Sequence, residues 1–211
     1  MPGITNMQYQ KKMKLIRHLL ALEYDFVILD LAPGASFNVA DFAIIAQRAL
    51  LITTPEVPSL MNVYSFIKAV VFRRLTFFFK HKKCPELIEL LEKALDFEKY
   101  PNLKTMDGVF RKARDINTEV ADAAQKVLSG FSPFVVVNRV RGVSDANAGK
   151  AVQNLMKHYL NINSSEVMTL REDAGVGNAI ARMKPVITET PNAPFCRDIQ
   201  KIAVRLVSGE R

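Results

Sequence analysis

Hydrophobic and polar positions follow two different periods along this chain. In 13–22, MKLIRHLLAL, residues Leu15, Ile16, Leu19 and Leu20 share one stripe at helical spacing, and the pattern predicts a helix leading into a strand over 26–30, FVILD. A short helix is predicted over 40–47. RALLITTPE, 48–56, reads as a second buried strand, ended by Pro55 and Pro58 before a helix that begins near Ser59 and continues through LMNVYSFIKAVVFRRL. From 76 to 130 the pattern changes to helices only. PELIELLEKALDF opens with Pro85 at a first-turn position, and MDGVFRKARDINTEVADAAQKVL has the period of one long amphipathic helix. This stretch is expected to be a helical insertion within a single domain covering 1–211. Alternation then resumes with a strand over 133–140 (PFVVVNRV), a helix in NAGKAVQNLMKHYL, and a short strand over 166–170 (EVMTL). A helix at DAGVGNAIARM follows, with Asp173 placed to cap it, then a last short strand in KPVITE and a closing helix, PFCRDIQKIAVRLV.

Strands that are apolar throughout and alternate with helices imply an α/β fold, a parallel sheet covered by helices on both faces. Ligands of such sheets gather at the carboxyl ends of the strands. Here those ends are Asp30, residues 53–56, Asn138 with Arg139, and residues 170–173. Polar side chains are thus expected along one rim.

Composition narrows the partners rather than the fold. With 211 residues, 49% of them hydrophobic, the chain is long enough for a sizeable core. Its two cysteines, Cys84 and Cys196, lie far apart with no CxxC or Cys/His spacing, which argues against a disulfide framework or a zinc site and fits a reducing cytoplasm. No apolar run reaches membrane-spanning length and MPGITNMQYQKK has no secretory pattern, so a soluble protein is expected. A formal charge of +8 favours an anionic partner: nucleotide phosphates, nucleic acid or an acidic membrane surface.

FVILD has the shape of a Walker B strand, whose terminal carboxylate stands near a magnesium ion, although apolar strands also end in Asp simply to make a turn. The LAPGAS that follows adds a bend at Pro33 and Gly34 whose amides can face a phosphate. DFVILDLAPGAS, LLITTPEVPSLMNVYSFIK, VVVNRV, and AGVGNAIARMKPVI ending in PNAP and an amphipathic helix together resemble the MinD/ParA group of deviant P-loop ATPases, nearest its MinD, flagellar-number and Mrp-like branches. The order and spacing agree from about Met13 to Val207 apart from the helical insertion. The resemblance implies a P-loop NTPase fold of the MinD type, with ATP and Mg2+ as cofactors. It implies that Asp30 organises the metal shell and the attacking water, that Pro33 and Gly34 sense the terminal phosphate, and that Asn138 reads adenine with Arg139 beside the base. Arg171 and Asp173 would line the other side of the purine pocket, where relatives often carry proline instead of Arg171. Each position also has a plain structural reading: Asn138 satisfying backbone groups at a strand end, Pro55 and Glu56 forming a turn, Gly175 and Gly177 opening a helix.

One element of the family is missing. No G-x-x-x-x-G-K-[ST] loop occurs, and the closest imitation, SDANAGKA over 144–151, reads as a loop entering a helix. Only 29 residues precede Asp30, whereas the family's loop lies well upstream of this strand. Three explanations are open: the carboxyl-terminal part of a longer ATPase, a subunit completed by another polypeptide, or a nucleotide-free descendant used for binding. Weak ATP binding is expected, as is an uncovered sheet edge that invites a homodimer or a protein partner. FIKAVVFRRLTFFFKHKK, 66–83, joins basic residues to phenylalanines and reads either as a core helix with a basic solvated face or as a surface for membrane or nucleic acid. The closing helix is similar to the membrane-targeting tail of some MinD proteins, so a peripheral position at the inner membrane accompanies the cytoplasmic assignment, while packing on the sheet explains the same stripe. The histidines His18, His81 and His158 have no spacing that suggests catalysis or metal binding, and with no helix-turn-helix or zinc-finger pattern, sequence-specific nucleic-acid binding is not expected.

Overall fold

The computed structural model describes residues 9–164 and 166–208, and the chain divides into two compact units. The first comprises Met1–Gln47 with Ser65–Leu128, and the second Arg48–Tyr64 with Ser129–Arg211.

The second unit holds a three-stranded parallel sheet in the order β1 (Leu50–Thr53), β2 (Phe134–Val140), β3 (Val167–Arg171). β2 is the centre. Phe134, Val135, Val136 and Val137 are all buried, which is what an apolar, β-branched run predicts for a strand covered on both faces. Register sets Val135 against Val167 and Val136 against Met168. One face carries helix α7 (Val143–Leu160), where a Cβ on Gly149 would sit 2.3 Å from Val167 and 3.0 Å from Val137. The other face carries α10 (Pro194–Ser208), whose Ile202 is buried with Val136 and Leu170 while Phe195, Ile199 and Leu206 pack around them. The apolar stripe of the closing helix is therefore used on the sheet. β1 differs: Leu51 and Thr53 are buried, but Leu50 is 38% and Ile52 57% exposed, the pattern of an edge strand with one open face.

The first unit is helical. α3 (Val57–His81) supplies its first residues to the sheet unit and, from Ser65 on, a core stripe of Ile67, Val70, Val71, Leu75 and Phe79 to the helical one. α4 (Pro85–Leu95), α5 (Met106–Ile116) and α6 (Thr118–Ser129) each bury one face, through residues such as Leu87, Phe110 and Leu128. The expected long helix over the last two is broken at Asn117, whose φ and ψ are extended and whose Oδ1 accepts the Val120 N–H at 3.0 Å, so a side-chain cap starts a new helix there. α1 (Tyr9–Leu20) and α2 (Phe37–Ile45) are tied to α3 through Asp41. Its carboxylate accepts Lys12 Nζ at 2.6 Å and Arg73 Nε at 2.7 Å, and all but Arg73 are nearly closed to solvent. Arg73 also lies over the Phe77 ring, 4.4 Å away. Of the cationic stretch 66–83, the first half is a core helix, but its basic residues Lys68, Arg73 and Arg74 are half-buried rather than solvated, whereas residues 80–83 are exposed.

Three further expectations need correction. Residues 26–30 form no strand; the segment is irregular and exposed, with no neighbouring strand paired to it. An apolar run forms a strand only where another strand takes up its backbone groups. The expected strand in KPVITE is instead the short helix α9 (Val186–Glu189), begun by Pro185. Residues 144–151 lie within α7 rather than in a loop, and Gly149 answers to close helix–sheet packing.

Two stability changes follow. Gly149→Ala is expected to lower unfolding free energy by about 1–3 kcal/mol through overpacking against Val167, measured by urea denaturation. Asp41→Ala, which strands the Lys12 charge, should cost about 3 kcal/mol or more. Burial raises the Asp41 pKa, but hydrogen bonds from Arg73 and Lys12 outweigh it and hold the group below its usual 3.8. Its stabilisation is accordingly complete above that value and lost as pH falls through the folded-state pKa; an acid titration of stability should show this loss in the native chain and not in Asp41→Ala.

Candidate functional site

The parallel arrangement brings the carboxyl ends of β1, β2 and β3 to one rim of the sheet unit. At the end of β1, the Ser59 hydroxyl closes the turn into α3, accepting the Thr54 N–H at 3.2 Å and lying 3.2 Å from the Thr53 hydroxyl. Glu56 stands exposed on this turn. A hydrogen bond from Thr54 lowers its pKa most, its own backbone N–H adds to this, and the charges of Arg139 and Arg141 assist.

β2 loses its regular register between Val137 and Val140. Asn138 and Arg139 occupy this irregularity, and Arg139 takes a left-handed conformation, φ 59°, uncommon for a residue with a side chain. Two contacts hold it. The Arg139 N–H donates to Asn138 Oδ1 at 2.9 Å, and its guanidinium reaches Glu172 Oε1 at 3.1 Å through Nη2. Arg141 converges on the same carboxylate, with Nη2 3.0 Å from Oε1 and Nε bonded to Oε2. Hydrogen bonds from Arg141 and then Arg139 bring the Glu172 pKa down to about 2. Half-buried Asn138 keeps its NH2 group outside the hydrogen bonds formed by the described residues.

At the end of β3, Arg171 and Asp173 serve the surrounding helices. Arg171 binds Asp198 through Nε and Nη2, both at 2.8 Å, and its Nη2 also reaches the Pro194 carbonyl at 3.2 Å. Burial raises the pKa of Asp198, yet the Arg171 hydrogen bonds prevail and lower it. Asp173 caps α8 (Ala174–Ala181), accepting the Gly175 N–H at 2.8 Å, as its position before the helix predicted, and its other oxygen accepts the Phe195 N–H at 3.4 Å.

Asn138, Arg139, Arg171 and Asp173 thus share the rim. Asp30, Pro33 and Gly34 belong to the other unit. There Asp30 is exposed, and Pro33 and Gly34 form a bend in which Gly34 has φ 115°, a conformation open to glycine. Among the described residues no three His, Cys, Asp or Glu side chains cluster to hold a metal ion, and no helix is long and apolar enough to cross a membrane.

Sequence reading missed Asp198 and Asp41, and it placed Glu172 on the rim within 170–173 without a role. For Asp198 a signal existed: it falls on the apolar stripe of α10, between Phe195 and Ile202, where a charge needs a buried partner. Asp41 in FNVADFAII offers the same clue. Glu172 has no such pattern, because its partners depend on the bulge. No protein-family model matches the sequence, and no curated protein matches it.

The Glu172 carboxyl should titrate near pH 2 by carbon-detected NMR, and the double substitution Arg139→Ala with Arg141→Ala should return it toward 4.5. An unchanged midpoint would show that the two guanidinium groups do not set it.

Proposed function

We propose that this chain is a MinD/ParA-type nucleotide-binding ATPase polypeptide, a part of an ATP-dependent dimerisation switch that positions, partitions or counts a cellular structure. The observation that carries the reading is the rim itself: a parallel α/β sheet with an asparagine on a bulge at the tip of its central strand, its NH2 group available and its oxygen fixed. An amide of this kind supplies a donor and an acceptor side by side, the pattern that matches adenine N7 and N6–H2. Arg139, beside it, would border the base.

The residues present fit the base better than the phosphates. Asn138 has the chemistry to read a purine. Arg171 and Asp173 have their charged groups engaged by α10 and α8, so they would shape the pocket wall rather than contact the ligand. The sequence has no glycine-lysine loop to compensate triphosphate charge, and Asp30 is the single acidic residue assigned to the metal. No hydrolytic step is therefore assigned to this chain alone.

A second reading, a non-enzymatic adaptor for a protein partner or an anionic surface, is favoured by the bare apolar segment at Phe26, Val27 and Ile28. Magnesium-ATP titration separates the two. The nucleotide reading predicts weak binding, above micromolar, with NMR shifts at Asn138 and Arg139 that vanish in Asn138→Ala. Adenosine should perturb the same residues. Shifts absent from the rim at millimolar nucleotide would leave the adaptor reading in possession.

A further inference from the structure

The segment 22–31, LEYDFVILDL, has the composition of a strand and the exposure of a loop. Phe26 is 66% and Ile28 90% exposed, and Val27 and Tyr24 are open as well. In an extended chain Phe26 and Ile28 point to one side and Val27 and Leu29 to the other, so both sides of this run are apolar. A run apolar on both sides is suited to a covered strand with neighbours, and an unpaired one is a template for strand addition.

Charge limits what can pair with it. Asp25 and Asp30, both exposed, bracket the four apolar residues, about 17 Å apart when extended. A second copy of this segment would set like charges together at both ends, whether the two ran parallel or antiparallel, and facing like charges destabilise a strand pair. A bilayer with anionic headgroups meets the same carboxylates, with Glu23 added. The complementary occupant is a strand with a cation at each end.

We propose that 26–30 is a docking strand for an extended segment of another polypeptide, one with an apolar centre of four residues and a lysine or arginine on either side. Main-chain hydrogen bonds supply the attachment, and the flanking ion pairs with Asp25 and Asp30 fix register and exclude self-pairing. Asp30 is shared with the nucleotide reading, but the docking requires no nucleotide, and peptide binding measured without nucleotide tests it separately.

The test uses the full chain and a fluorescein-labelled peptide with a Val-Ile-Val-Ile centre and lysine at both ends, followed by fluorescence anisotropy. Saturable binding is expected, about tenfold weaker when both lysines are replaced by glutamate. The double substitution Asp25→Lys with Asp30→Lys should reverse that preference, and Asp25→Asn with Asp30→Asn should abolish it, circular dichroism verifying the fold of each. Amides 26–29 should gain protection from hydrogen exchange on adding the lysine peptide. Equal binding of the two peptides, no binding, or protection elsewhere would overturn the proposal. So would protection of 26–29 that rises with chain concentration alone, marking a second copy, or that appears only with phosphatidylserine vesicles.

Discussion

Parallel pairing of β2 with a neighbour on either side is the constraint on which the sheet unit depends. A strand whose backbone groups are taken up along both edges can be apolar on both faces, and FVVV is. Helices α7 and α10 then cover opposite faces, one by close approach at Gly149 and the other through Ile202. Because parallel strands end on the same side, Thr53, Asn138 and Arg171 reach one rim with no further instruction. Register loss at Asn138 and Arg139 is the local departure at the strand tip, and the Glu172 ion pairs hold its left-handed residue.

The helical unit solves a different problem. α3 buries a stripe of apolar residues, as do α4 to α6, while α1 contributes only Lys12 and Ile16 to the interior. An ion triad links α1, α2 and α3. Hydrophobic contacts tolerate sliding, whereas the Asp41 carboxylate admits one arrangement of Lys12 and Arg73. Removing the carboxylate therefore harms more than removing a surface pair, because two cations lose their counterion.

The same physics explains the behaviour of FVILD and PFVVV, which look alike in sequence. One is a central strand and the other an exposed irregular segment. Apolar composition makes a strand possible, but a strand exists only by pairing. Edge strand β1 lies between these extremes, with Leu51 inward and Ile52 open.

Periodicity by itself determined most helices, the three paired strands and their parallel α/β arrangement, since burial on one face leaves a readable mark at 3.6 or 2 residues. It also located the rim, through the polar residues that end each strand, and the Asp173 cap. Tertiary structure decided the rest. Whether 26–30 is a strand depended on a neighbour, the break at Asn117 on a side-chain cap competing with helix continuation, and the fate of KPVITE on a four-residue turn too short for periodicity to resolve. The partners of Arg139, Arg171 and Asp41 lie 27 to 33 residues away or are set by a bulge, and an ion pair between such distant positions leaves no period in the sequence to read.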